Sequence, residues 1–125
     1  MSHDPARTRW ALSAGWIPER STGHEPEATS RNVLCLLNTT ERDGCASIMI
    51  YHEDAEPVGP YEVPVRARRV RHIRINDLID PEAVPLGVPY GIAVECDVPM
   101  VVQLALVDTS DGRYAVALLG GVAGD

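Results

Sequence analysis

At 125 residues the chain is sized for one domain, because a second would leave neither with an adequate core. Its 45% hydrophobic and 23% charged residues exclude a disordered chain, and 10 glycines and 10 prolines spread along the length argue against a bundle of long helices. The net charge of -7 disfavours indiscriminate binding to nucleic acid or anionic lipid.

No apolar stretch reaches the roughly 18 residues that suggest a membrane span, and the opening residues Met1 to Arg7 lack the apolar centre of a secretion signal, so the expectation is a cytoplasmic protein. In chain order, Trp10 to Ser13 is a short apolar strand, followed by a polar loop from Pro18 to Arg31. Val33 to Leu37 is a continuous apolar run of strand length, the pattern of a strand buried on both faces. Cys45 to Tyr51 is β-branched-rich and preceded by the turn residues Asp43-Gly44, and the two runs are expected to form a hairpin.

Glu56-Pro57-Val58-Gly59-Pro60 is a turn, since its two prolines remove two donors and fix two φ angles. Beyond it Tyr61, Val63, Val65 and Ala67 alternate with Glu62, Pro64, Arg66 and Arg68, the period of a half-buried strand, with Pro64 placing it at an edge. The alternation slips at Arg69 and recovers at Ile73, which reads as a bulge. Asn76 to Asp80 allows a single helical turn, and Pro81, Pro85 and Pro89 keep the following stretch irregular. Ile92 to Cys96, Met100 to Val107 and Tyr114 to Leu119 are three further strands, with Asp111-Gly112 in the last loop. Seven or eight short strands without an amphipathic helix predict an all-β antiparallel β-sandwich, jelly-roll or lectin-like, in a single domain.

Catalytic signatures are missing from the sequence. There is no Gly-x-Ser-x-Gly elbow, and the phosphate loop Gly-x-x-x-x-Gly-Lys is impossible in a chain whose basic residues are all arginine. Three cysteines, Cys35, Cys45 and Cys96, have no C-x-x-C spacing and read as small apolar residues. His52, Glu53, Asp54 and Glu56 make the densest set of metal-ligand types, but neighbours on a strand point to opposite faces, so a solvated turn is the expectation. No enzyme, cofactor or metal is expected. The feature above background is basic: Glu62 to Asp77 holds Arg66, Arg68, Arg69, Arg71 and Arg74 against two acids, +3 in a chain whose remainder carries -10. His72 lies among them. Such a stretch is either a solvated strand face paired with neighbouring acids or a docking surface, because guanidinium forks suit carboxylates and phosphates.

These residues also carry a family likeness. Trp10-Ala11 with Gly15-Trp16-Ile17-Pro18, Glu25-Pro26, Glu56-Pro57-Val58-Gly59-Pro60-Tyr61, Ala67-Arg68-Arg69, His72-Ile73-Arg74-Ile75-Asn76-Asp77-Leu78 and Val98-Pro99-Met100-Val101-Val102-Gln103 together resemble the sensory-rhodopsin transducer family, small bacterial proteins named for a partner of a membrane retinal photoreceptor. After Gln103 the chain departs from the family's polar residues, with Leu104-Ala105-Leu106-Val107. The resemblance implies a β-sandwich protomer, a homotetramer and a signalling role with a membrane photoreceptor (a sensory rhodopsin) as partner. On that reading Arg66, Arg68, Arg69, Arg71, His72 and Arg74, with the adjoining Asn76 and Asp77, are the candidate partner contacts. Family members have also been considered carbohydrate binders and DNA-binding regulators. For a small sugar, Trp10, Trp16 or Tyr61 would stack on the ring while Arg69, His72 and Gln103 supply hydrogen bonds; DNA is the lesser alternative in an acidic chain. Independently of the likeness, few charges from Met100 to Val107 and from Tyr114 to Gly124 leave apolar surface for a second copy to cover.

Overall fold

The computed structural model describes residues 4–21, 29–111 and 114–124. Its strands are β1 Arg7–Trp16, β2 Arg31–Asn38, β3 Gly44–His52, β4 Val58–Val65, β5 Arg69–Arg74, β6 Pro89–Asp108, β7 Ala115–Gly120 and β8 Val122–Gly124. A 3-10 turn, Ile75–Asp77, follows β5 and is the only helical element among the described residues. The fold is therefore all-β, and every strand pairing is antiparallel. No helix among the described residues is long and apolar enough to cross a membrane.

β6 is the spine. Its first half lies between β1 and β3 in a sheet ordered β4-β3-β6-β1-β8, and its second half lies between β2 and β7 in a sheet ordered β5-β2-β6-β7. The ladder to β1 jumps where Arg7 meets Met100 but Arg9 meets Glu95, leaving Cys96 to Pro99 as the corner at which the strand passes between sheets. There the Asp97 carboxylate accepts the Cys45 N–H at 2.7 Å.

Alternation sets the core. Leu34 and Leu36 of β2, Ile48 and Ile50 of β3, and Ile92, Val94, Met100, Val102 and Leu104 of β6 all point inward and belong to one buried cluster. Each fully buried aliphatic side chain contributes on the order of 1.5–3 kcal/mol of transfer free energy. Glycine is required at one close crossing: a Cβ on Gly15 would lie 2.4 Å from the Tyr90 ring, which packs against β1 at that point.

Four expectations change. The slip at Arg69 is a strand break, not a bulge: β4 ends at Val65, the chain turns through Ala67 and Arg68, and β5 continues in the other sheet. Arg68 makes that turn with φ 58, the left-handed region. Val33 to Leu37 and Cys45 to Tyr51 do not pair with each other; β2 joins β5 and β6, whereas β3 joins β4 and β6, because the turn between them also crosses sheets. The two strands expected from Ile92 and from Met100 are one 20-residue strand, continuous through Pro99 at the corner. The ten-residue β1 and the added β8 lengthen what sequence patterning delimits. The loop expected from Pro18 to Arg31 and the likeness at Glu25-Pro26 fall partly or wholly outside the described residues, as does Gly112.

Candidate interaction surface

Two turns form one end of the molecule. The β2–β3 turn and the β4–β5 turn are tied together by three hydrogen bonds: Arg68 N–H to Thr40 O at 3.0 Å, Ala67 N–H to the Asp43 carboxylate at 2.9 Å, and Asn38 Nδ2 to Val65 O at 3.0 Å. Asn38 is fully buried, and its amide also reaches Arg42 O at 2.9 Å while its Oδ1 accepts from the Thr40 N–H and hydroxyl. A short polar side chain at the end of a strand thus fixes both turns, which presents their arginines on a rigid base.

Arg42, Arg66, Arg68, Arg69 and Arg71 are all exposed at this end. Among the described residues none of the five has a carboxylate within ion-pairing distance; the ion pairs are Arg9 with Glu95 at 3.8 Å and Arg74 with Asp77 at 3.9 Å. Arg71 spends one guanidinium N–H on Pro64 O at 2.6 Å, and Arg69 one on Arg68 O at 3.0 Å. The remaining forks are open to solvent and suited to carboxylates or phosphates. The expected alternative of strand arginines neutralised by acids on neighbouring strands is not what the geometry shows. Arg42 is the member that the linear charge pattern misses, since it lies 24 residues before Arg66 and joins the cluster only through the bonds that tie the two turns.

The other sequence candidates are distributed elsewhere. Arg74 is mostly covered beside Asp77, with its Nε buried and unpartnered. Asn76 is held inward at both ends of its amide: Oδ1 accepts the Asn32 N–H at 3.3 Å and Nδ2 donates to Ser30 O at 3.1 Å. Its amide is committed to the scaffold, and Asp77 alone of that pair is fully exposed. His72 is exposed on β5 and shares a cross-strand row with Cys35 and Gln103.

The stacking residues proposed for a sugar are not brought together. Tyr61 is buried and its hydroxyl donates to Glu82 O. Trp10 is half-buried with its indole N–H donated to Met100 O at 2.9 Å. Trp16 is 46% exposed but lines a separate groove of about 250 Å³ with Pro18, Leu106 and Val116. Arg69 aligns with Asn38, on the opposite parity to His72, so of the sugar set only His72 and Gln103 share a row. Phenolic and thiol groups point the same way: burial pushes the Tyr61 and Tyr90 hydroxyls up, and the Cys96 thiol up to about 11. These are inert interior groups; nearer the surface the Cys45 thiol and the Ser47 hydroxyl both donate to the Glu62 carboxylate, at 3.2 and 2.8 Å.

The comparisons with known proteins fit this geometry. No curated protein sequence matches the chain. Among solved structures, Thermotoga maritima 1070 superposes with a TM-score of 0.84 at 28% identity, over 94% of this chain and 95% of that one. The Anabaena sensory rhodopsin transducer superposes with a TM-score of 0.74 at 42% identity, over 82% of this chain and 89% of that one. The sequence profile of the family described as Anabaena sensory rhodopsin transducer matches residues 6–123, and the chain belongs to that family.

Proposed function

We propose that the protein is a cytoplasmic, non-enzymatic signalling adaptor that works by protein contact, its basic end docking an acidic segment of a membrane photoreceptor of the sensory rhodopsin kind, and that it does so as a homo-oligomer, four copies by family likeness. The observation that carries the contact mode is the set of five exposed arginines held on two tied turns, none of them ion-paired among the described residues. Family membership supplies the class of partner, as a relative's name describes a transducer of a sensory rhodopsin.

The test reverses Arg66 and Arg69 to glutamate together and titrates the protein against a photoreceptor of the sensory rhodopsin kind in neutral-lipid nanodiscs. Both side chains are exposed, so each change costs within about 0.5 kcal/mol of stability. Affinity is expected to fall at least roughly tenfold, about 1.4 kcal/mol, and wild-type binding to weaken modestly with salt. Unchanged affinity sinks the docking surface. Sequence-specific duplex DNA binding whose log K falls steeply with log salt, with no receptor affinity, would replace the adaptor with a regulator.

A further inference from the structure

Open strand edges invite pairing unless they are broken, charged or kept short. Among the described residues β4 carries Pro60, Pro64 and a register shift, β5 carries Arg69, Arg71 and Arg74, and β8 is three residues long. β1 is covered by β8 from Arg9 to Ala11; beyond that its ladder jumps between Leu12 and Gly15, and the Asn32 amide bonds both the N–H and the carbonyl of Trp16. β7 has no such device. Ala115 to Gly120 pairs with β6 in unbroken register, holds no charge or proline, and has no described strand on its other side. In an antiparallel ladder alternate residues turn both backbone groups away from the partner strand, so about half of the β7 amides and carbonyls point out of this edge.

The space beside the edge fits an added strand. Ala115, Ala117 and Leu119 align with Asp108, Leu106 and Leu104, on the inner side of the sheet. Leu119 packs on the core, but alanine at the other two positions leaves the groove of about 250 Å³ whose opposite wall is Trp16 and Pro18. A strand laid along β7 sends every second side chain into that groove. Only an extended polypeptide offers donors and acceptors at the spacing of the edge, which excludes a sugar or a lipid as its complement.

We propose that β7 receives an extended segment of the photoreceptor as an added strand, with apolar side chains of that segment entering the groove against Trp16; the inference rests on the adaptor reading above and says how the docked segment continues. Charge complementarity fixes what adjoins the apolar run. Gly120 shares a row with Gln103, Cys35 and His72, three residues from the row of Asn38 and Arg69. Three steps of about 3.3 Å and three strand spacings of about 4.8 Å put Gly120 and Arg69 roughly 17 Å apart, which about five extended residues span. β7 runs toward the basic end, so an antiparallel strand has its acidic residues on the N-terminal side of its apolar run. Along β7 itself the segment is uncharged, because Ala115 to Gly120 offers no ion partner and an unpaired charge is costly to cover.

Hydrogen exchange read by mass spectrometry tests this on the full chain, alone and saturated with a photoreceptor of the sensory rhodopsin kind in neutral-lipid nanodiscs. The Ala115 to Gly120 amides are expected to exchange at least roughly tenfold more slowly in the complex. Trp16→Ala leaves the Asn32 bonds to the backbone in place and is expected to weaken receptor binding at least roughly fivefold with unchanged far-ultraviolet dichroism. If that variant loses its β signal, exchange on the wild type decides alone. Receptor binding that Arg66→Glu with Arg69→Glu abolishes, but that leaves β7 exchange unchanged, overturns the added strand and keeps the docking reading. Amides of β7 already slow in the free protein also overturn it, since a second copy then covers the edge. A wild type that binds no such receptor overturns the adaptor reading and this inference with it.

Discussion

Replacing Asn76 with alanine separates scaffold from surface within the His72 to Leu78 stretch that carries part of the family likeness. Its amide accepts the Asn32 N–H at 3.3 Å and donates to Ser30 O at 3.1 Å, joining the 3-10 turn to the start of β2. Asn32 is fully buried and itself bonds the Trp16 carbonyl at 2.9 Å and the Tyr90 hydroxyl, so water cannot easily replace the lost acceptor. Two hydrogen bonds at about 1 kcal/mol each, with a buried donor left unsatisfied, amount to about 2–3 kcal/mol. For a domain of this size that lowers the thermal midpoint by roughly 8–12 °C, taking about 2.1 cal/mol/K of unfolding entropy per residue. Thermal melts by far-ultraviolet dichroism read the effect, and receptor titration well below the midpoint reads function. The expected pair of results is a lowered midpoint with unchanged affinity. A midpoint within about 2 °C of wild type together with lost affinity would refute the reasoning and make Asn76 a contact.

Two further outcomes are expected. Gly59 has φ 148, and a Cβ there would lie 2.7 Å from Ile48 O, so Gly59→Val should lower stability by at least about 2 kcal/mol in urea unfolding; an unchanged midpoint would show that the β3–β4 crossing yields. Burial raises the Tyr90 phenol above its ordinary value near 10, so the folded state favours the neutral hydroxyl, and the stability it adds is complete below about pH 10 and lost as pH rises toward the folded value. Without lysines, the alkaline limb of stability against pH reports mainly tyrosines and cysteines, and Tyr90→Phe should lower the midpoint at neutral pH and flatten that limb. An equally steep limb in the variant would exclude Tyr90 as its source.

The strands were legible because their apolar positions alternate or run unbroken, and Ile48, Ile50, Val63, Val65, Val102 and Leu104 are all in the core where that patterning places them. What escaped was the crossing between sheets. A local pattern reports which face a residue is on but not which sheet, so the break at Ala67-Arg68 reads as a bulge and the bend at Val98-Pro99 reads as a gap between strands. The site was legible in part for the same reason. Arginine density marks Arg66 to Arg71, but Arg42 arrives through a tertiary bond, and polar Asn76 is indistinguishable in sequence from an exposed turn residue until its partners Asn32 and Ser30 are located.

Charge is arranged along the β3–β4 hairpin. Gly44 and Val65 lie beside the basic turns, whereas His52 and Val58 lie at the other end beside exposed Glu53, Asp54, Glu56 and Glu82, which border one depression. Eight residue steps of about 3.3 Å separate the ends of β3, so the opposite charges are held roughly 26 Å apart, several screening lengths at physiological salt. They cannot neutralise each other within a protomer, and a -7 chain keeps a locally positive end. On the adaptor reading, that end orients an approaching acidic segment more than it binds one tightly, because exposed pairs contribute little each and the surrounding field is repulsive. On the oligomeric adaptor reading proposed above, several such ends meet one receptor, so affinity is set by how many engage together instead of by any single arginine.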